Sequence, residues 1–158
     1  MMFGMPTILF VHLVLSVAGL LAGCVAVYGL LVSRWMGGAT GLFLLATAAT
    51  SATGFALPAD RLLPSHVVGI VSLVVLAVAV LALYSFHLVF KWRWIYVVSA
   101  VISLYLNVFV LVAQGFAKVP ALHALAPTQA EPPFAIAQGI VLVIFIAIGA
   151  VAVKRFRP

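Results

Sequence analysis

Long uninterrupted runs of apolar residues dominate this chain. Five of them contain no Asp, Glu, Lys or Arg: Thr7–Val32, residues 39–57, Val67–Phe90, Trp94–Phe116 and Phe134–Val153. Because about 20 apolar residues in a helix cross the hydrocarbon core of a bilayer, each run predicts a transmembrane helix. No stretch of about ten residues alternates apolar and polar positions as membrane strands do. The pattern therefore predicts an all-α integral membrane bundle, a single domain over residues 1–158.

The breaks between the runs carry residues that interrupt helices. Gly37 and Gly38 follow the first run, and Lys91-Trp92-Arg93 predicts a tight turn after the third. Prolines are expected to hold the last loop out of helix: Pro120, Pro127, Pro132 and Pro133. These breaks divide the chain into five predicted spans.

Composition excludes the soluble classes of protein. Hydrophobic residues make up 67% of the chain and charged residues only 6%, whereas soluble domains carry about 45–50% and 25%. A domain of this size cannot hide such an excess from water, so a soluble enzyme, a disordered tail and a nucleic-acid-binding domain are excluded. The single cysteine, Cys24, excludes an internal disulfide and a cysteine-based metal cluster.

The net charge of +6 comes from short basic clusters between the apolar runs, which is typical of topology signals rather than of a polyanion site. With five spans, one side of the membrane receives six basic residues: Arg34, Lys91, Arg93, Lys154, Arg155 and Arg157. The other side receives Arg61 and Lys118. The bias predicts a cytoplasmic C-terminus and an N-terminus outside, and all three tryptophans fall at the cytoplasmic boundary, where aromatic belts form.

Small and polar residues recur at helical spacing along the spans. Because lipid tails give helices no hydrophobic reason to associate, such stripes predict the faces that pack together. The stripe of the first span consists of His12, Ser16, Gly19, Gly23 and Ala26. The stripe of the fourth consists of Tyr96, Ser99, Ser103, Asn107 and Gln114.

The few groups with acid–base chemistry gather on the predicted outer face. Asp60, Glu131, His66 and His123 belong to loops there, and His12 lies about one turn inside the first span. Without a carboxylate in the membrane, a proton relay or cation path is not expected. No spacing of a zinc helix or a Ser-His-Asp hydrolase is present. We therefore predict neither catalytic nor metal-ligating residues.

Two binding hypotheses remain. The first is a ligand pocket beneath the last outer loop, formed by His12, Asn107, Gln114, His123 and Glu131, with Lys118 and Glu131 pairing across the loop ends. The alternative is a b-type haem held between His12 and His66, since both residues open spans that run in the same direction.

The segment Leu104–Gln138, which reads LYLNVFVLVAQGFAKVPALHALAPTQAEPPFAIAQ, resembles small bacterial inner-membrane proteins that carry no assigned activity. The resemblance covers the fourth span, the last outer loop and the start of the fifth span. It implies a bacterial cytoplasmic membrane with the outer loops in the periplasm, and no catalytic residue.

The leading expectation for function is a non-enzymatic membrane protein without a cofactor. It would be a small-ligand binder or an accessory subunit of a membrane complex, with the bilayer as its surroundings and a homo-oligomer or larger assembly as its partner. The alternatives are the haem redox protein and a small transporter, the latter disfavoured because there is little buried machinery for coupling.

Overall fold

Helices account for 85% of the residues that the computed structural model describes, which are 6–57 and 64–157, and no strand occurs among them. The helices are α1 (Thr7–Leu31), α2 (Gly37–Phe55), α3 (Pro64–Val80), α4 (Lys91–Lys118), α5 (Pro120–Leu125) and α6 (Pro132–Arg155), with a π-helical turn, Leu81–Ser85, prolonging α3. Four helical stretches are long and apolar enough to cross a membrane: Thr7–Leu31, His66–Ser85, Lys91–Lys118 and Pro132–Arg155. The prediction of an all-α bundle with membrane-length helices is confirmed to that extent.

Helix α2 is long as well but is not one of those four. Four threonines, a serine and four glycines among its 19 residues lower its hydropathy. It nevertheless lies antiparallel to α1 along most of its length, because His12 contacts Thr53 at one end and Gly29 lies beside Met36 at the other. Helix α2 thus packs along α1 as part of the bundle.

The five long helices alternate in direction. The start of α3 packs against the end of α2, and α6 lies antiparallel to α4, with Phe134 against Phe116 and Gly149 against Val101. We call the end where α1, α3 and α6 begin the histidine end, since His12, His66 and His123 belong to it. The opposite end is the arginine end, which contains Arg34, Arg93, Arg155 and Arg157.

The glycine stripe of α1 is the closest helix contact in the bundle. A Cβ atom at Gly23 would lie 2.7 Å from Leu104 Cδ1 and 2.8 Å from Phe43 Cδ2, so a larger residue there would require these side chains of α4 and α2 to shift. On α4, Tyr96, Ser99 and Ser103 are buried, as their stripe predicts. Small residues here allow backbones to approach, which is the usual basis of helix packing in membranes.

The third span ends before the predicted limit. Residues Val67–Phe90 were expected to form one helix, but the helix widens into the π turn and stops at Ser85. His87, Leu88 and Phe90 then adopt φ values of 47°, 58° and 50°, which a right-handed helix does not allow. Lys91-Trp92-Arg93, the predicted turn, instead form the first residues of α4.

Prolines of the last loop begin helices rather than exclude them. Pro120 is the first residue of α5, and Pro132 is the first residue of α6. The first position of a helix tolerates proline because its N–H has no partner within the helix and its φ is already helical. The expectation that these prolines hold the loop out of helix therefore holds only for the residues between α5 and α6.

Candidate functional site

His12 is held by a polar side chain of a neighbouring helix. It lies on α1, one and a half turns from the helix start, and is half-buried. Its Nδ1 atom lies 3.0 Å from Thr53 Oγ1 on α2, and a Cβ atom on Gly54 would lie 3.5 Å from its Cε1. The imidazole therefore contacts the last turns of α2.

The hydrogen bonds of Thr53 indicate which ring nitrogen carries the hydrogen. A threonine hydroxyl has one hydrogen to donate, and that of Thr53 faces the carbonyl oxygens of Ala49 at 2.8 Å and Thr50 at 3.1 Å. Since the one hydrogen of the Thr53 hydroxyl is directed to a carbonyl oxygen, Thr53 Oγ1 accepts from Nδ1 of His12. The Nε2 atom is then an acceptor, as in any neutral imidazole whose other nitrogen is protonated.

Two further hydroxyls of α2 extend this polar side of the helix. Thr50 Oγ1 is buried and has no hydrogen-bond partner, one turn before Thr53. Thr47, a turn earlier, is 1% exposed and accepts a hydrogen bond of 3.0 Å from Asn107 Nδ2 on α4. The structure thus joins His12 and Asn107 to the same helix, His12 through Thr53 and Asn107 through Thr47.

The remaining residues of the predicted ligand pocket lie apart from this polar side of α2. Gln114 near the end of α4 and His123 on α5 are exposed, and neither side chain makes a hydrogen bond with another described residue. Gln114 belongs to the stripe of α4 by its helical angle, but the stripe leaves the packed interior after Asn107. Hydrogen bonds thus join His12 and Asn107 to α2, and those of Glu131 go to its own loop.

The carboxylate of Glu131 accepts hydrogen bonds from the loop that precedes α6. Its Oε1 accepts hydrogen bonds from the Thr128 hydroxyl at 2.8 Å and the Thr128 amide at 3.2 Å, and its Oε2 accepts from the Ala130 amide at 3.1 Å. The Thr128 hydroxyl, followed by these amides, holds the pKa of Glu131 below its usual value. The expected pair with Lys118 is not formed, because both carboxylate oxygens are taken by the loop.

His66 and His12 lie on opposite sides of α2. Its ring stacks on Phe55, with 5.6 Å between ring centroids and 16° between planes. His12 contacts Gly54, the neighbouring residue, so both histidines lie at the level of the last turn of α2. That turn stands between α1 and α3, so the two imidazoles do not face each other across an open space.

Two glutamines that the sequence analysis did not single out tie the histidine end of α4 to its surroundings. Gln138 of α6, only 8% exposed, donates from Nε2 to the Phe109 carbonyl at 3.0 Å, and its Oε1 is buried without a partner. Gln129 donates from Nε2 to the Ala113 carbonyl at 2.8 Å. The signal for Gln138 was its amide inside the apolar run Phe134–Val153, where polar groups are costly.

Within residues 6–57 and 64–157, no three His, Cys, Asp or Glu side chains are grouped as a metal site. Asp60 lies outside the described residues. Comparison with family models, with curated proteins and with solved structures finds no match to this chain.

Proposed function

We propose that the chain crosses a membrane five times, with the arginine end in the cytoplasm. Four helices meet the requirement by length and composition, and α2 packs along α1 from Met36 to Thr53. Because α2 lies alongside α1 over this length, it would cross the same thickness of membrane as α1. Of the eight basic residues, six belong to the arginine end by sequence, which supports the orientation. That the membrane is the bacterial cytoplasmic one is proposed from the resemblance of Leu104–Gln138.

Single cysteines test this topology. In a Cys24→Ser background, a membrane-impermeant maleimide applied to intact cells should label Ala130→Cys and leave Arg157→Cys unlabelled. After detergent permeabilisation, both should react. Labelling of Arg157→Cys from outside would contradict the orientation, and equal access to both residues would contradict the odd number of crossings.

Within this topology we propose that the protein binds a small ligand at the His12 site, formed by His12, Thr50 and Thr53. The hydrogen bond from His12 Nδ1 to Thr53 carries the proposal, because it fixes the ring and leaves Nε2 as an acceptor. The buried, unpartnered hydroxyl of Thr50 is a second polar group on the same side of α2. A buried polar atom costs free energy unless it is paired, so a ligand that pairs with it gains affinity.

The chemistry of the His12 site selects the ligand. An unprotonated Nε2 requires a hydrogen-bond donor, which a hydroxyl, an amine or an amide N–H supplies. The surroundings are apolar, since exposed neighbours on α1 include Val11 and Leu13. The site therefore fits a small, largely apolar molecule that carries one donor group, reached from the histidine end.

A matched pair of probes tests this chemistry in the purified full chain. Ligand-observed NMR should detect butyramide binding, and N,N-dimethylbutyramide, which lacks the donor, should bind more weakly. Replacing His12 with phenylalanine should abolish the difference, whereas His123→Phe, at the exposed histidine of α5, should preserve it. Equal binding of the two probes to the wild-type chain, or an unchanged difference in His12→Phe, would contradict the proposal.

A b-type haem is the second candidate, favoured by one observation. His12 and His66 contact the consecutive residues Gly54 and Phe55, which brings both imidazoles to one level of the bundle. Binding between them requires the last turn of α2 to move aside. A Soret band in protein produced with ample haem, lost in both His12→Ala and His66→Ala but kept in His123→Ala, would establish it. A colourless preparation would remove it and leave the His12 site as a ligand site alone.

A further inference from the structure

A groove runs along the surface of the bundle between α4 and α6. It has a volume of about 460 Å³, its lining surface is almost wholly apolar, and Tyr105 and Lys154 are the lining residues whose side chains carry a polar group. The residues that define its floor and its two ends are Val101, Tyr105, Phe145, Gly149, Ala150 and Lys154. The rings of Tyr105 and Phe145, 5.7 Å apart, lie toward one end, and Lys154 lies at the other.

The length of the groove matches one leaflet of a bilayer. On α6 it extends from Leu142 to Lys154, which is about 18 Å at the helical rise of 1.5 Å per residue. Half of a hydrocarbon core about 30 Å thick is about 15 Å. A second transmembrane helix would need a surface that continues across the whole core, so the groove suits an acyl chain from a single leaflet better than a helix.

The charge at the end of the groove is positive, and within residues 6–57 and 64–157 no ion pair with an acidic side chain balances it. Lys154 lines the groove, and Arg93 donates to the carbonyl oxygen of Val153, the residue before it. Glu131, the acidic residue that the structure describes, belongs to the loop before α6, which begins at the histidine end. An anion at the headgroup level of the arginine end therefore complements this charge, and each Lys or Arg near an anionic headgroup contributes about 1 kcal/mol.

We infer that this groove is a binding site for an anionic phospholipid. One acyl chain lies along Val101, Gly149 and Ala150, and the phosphate lies beside the Lys154 ammonium group. Gly149 leaves room for the chain, because even a Cβ atom there would only reach van der Waals contact with Val101, at 3.6 Å. The site is separate from the His12 site at the other end of the bundle and does not depend on it.

Native mass spectrometry of the full chain, released from nanodiscs that contain phosphatidylglycerol and phosphatidylcholine with identical acyl chains, tests the charge requirement. The wild-type chain should retain phosphatidylglycerol preferentially. Lys154→Gln should weaken this retention about fivefold, and Arg155→Gln, the same charge change one residue outside the groove, should weaken it less than twofold. Equal losses in the two variants, or equal retention of the two lipids, would overturn the site.

A second pair of variants tests the groove itself. Ala150→Phe fills it from an exposed position, and Ala147→Phe adds the same ring to an exposed position outside the lining. Only Ala150→Phe should lose the retained phosphatidylglycerol, with both variants eluting as the wild type does in gel filtration. If the wild-type chain is instead a dimer that Ala150→Phe converts to a monomer, the groove is an interface between copies and the lipid site is overturned.

Discussion

The two ends of the bundle are built in different ways. At the arginine end, contacts join residues far apart in the chain: Arg93 donates to the carbonyl oxygens of Val153 and Phe156, and Ser33 exchanges hydrogen bonds with Arg157 at 3.2 and 3.0 Å. Phe156 is fully buried. At the histidine end, by contrast, the His12–Thr53 bond is the polar side-chain contact between α1 and α2, and the carboxylate of Glu131 serves its own loop.

The difference follows from the hydrogen-bonding groups that each end of the bundle leaves without a partner in its own helix. The last carbonyl groups of a helix have no partner within it, and a guanidinium group near them is favoured by the helix dipole as well. Arg93 meets this need for α6 and thereby fixes α4, α6 and the C-terminal segment together. The histidine end is linked by amide and imidazole groups instead, from Gln138 to the Phe109 carbonyl and from His12 to Thr53, and it exposes Gln114 and His123. A charged guanidinium group therefore links the helices at one end, and weaker hydrogen bonds link them at the other.

Replacing Arg93 should give the largest loss of stability. Arg93→Met keeps the length of the side chain but removes the hydrogen bonds to the carbonyl oxygens of Val153 and Phe156. The loss of charged hydrogen bonds to partly buried groups should lower the free energy of unfolding by about 2–3 kcal/mol. Unfolding of the purified chain by SDS titration measures it. Arg155→Met, at an exposed residue, is the control, and equal effects would remove Arg93 as the link between α4 and α6.

Replacing Gly29 at the end of α1 should lower the free energy of unfolding nearly as much as replacing Arg93. A Cβ atom there would lie 2.7 Å from the backbone oxygen of Arg34, whose amide donates to the Gly29 carbonyl at 2.8 Å. Because backbone cannot yield as a side chain can, Gly29→Ala should cost about 1–3 kcal/mol. Gly38→Ala, where nothing lies within 4 Å, should be neutral or stabilising. The same denaturation experiment compares the two variants. Identical unfolding midpoints would contradict the close approach of the Arg34 backbone to Gly29.

A double-mutant cycle should give a smaller energy at the histidine end. His12→Phe and Thr53→Val each remove the hydrogen bond between α1 and α2. The coupling energy between them should be about 0.6 kcal/mol, the average for such bonds in membrane proteins. Unfolding free energies of the two single variants and the double variant measure it. A coupling energy that exceeds the loss in Arg93→Met would reverse the comparison between the ends.

Acid should loosen the loop of Glu131 and leave the arginine end unchanged. The pKa of this carboxyl is lowered from 4.5 in the folded protein, first by the Thr128 hydroxyl. Its contribution is therefore fully present above pH 4.5 and is lost as the pH falls through the lowered pKa. Hydrogen exchange at the Thr128 and Ala130 amides, corrected for the intrinsic rate, should quicken over that range. Glu131→Gln should remove the pH dependence, and an unchanged dependence in this variant would assign it to another group.

Prediction from the sequence succeeded where one physical requirement acts alone. The apolar runs have to be helical in lipid, and the small residues at Gly19 and Gly23 have to face other helices. It failed at the ends of the helices, where the outcome depends on several residues together. The positive φ values of His87 and Leu88 stop the third span early, and Pro132 begins α6 although proline was expected to keep the loop out of helix.

The candidate site was predicted residue by residue but not as a group. His12 and Asn107 were identified as polar groups inside spans, and each has a threonine partner on α2. Gln114 shares the helical face of Asn107, yet it is exposed, because periodicity gives the direction of a side chain and not where the neighbouring helix ends. Gln138 was missed because a single amide in an apolar run produces no stripe.

The sequence by itself determined that this chain is helical and apolar enough for a bilayer, since hydropathy and helical spacing are local properties that each segment carries alone. Only the tertiary structure decided that α2 lies between α1 and α3, that His12 faces Thr53 rather than His66, and that Arg93 holds the end of α6. These outcomes depend on the order of helices around the bundle. Lipid favours no particular order, so the order is set by the fit between specific faces, which exists only once the helices are packed.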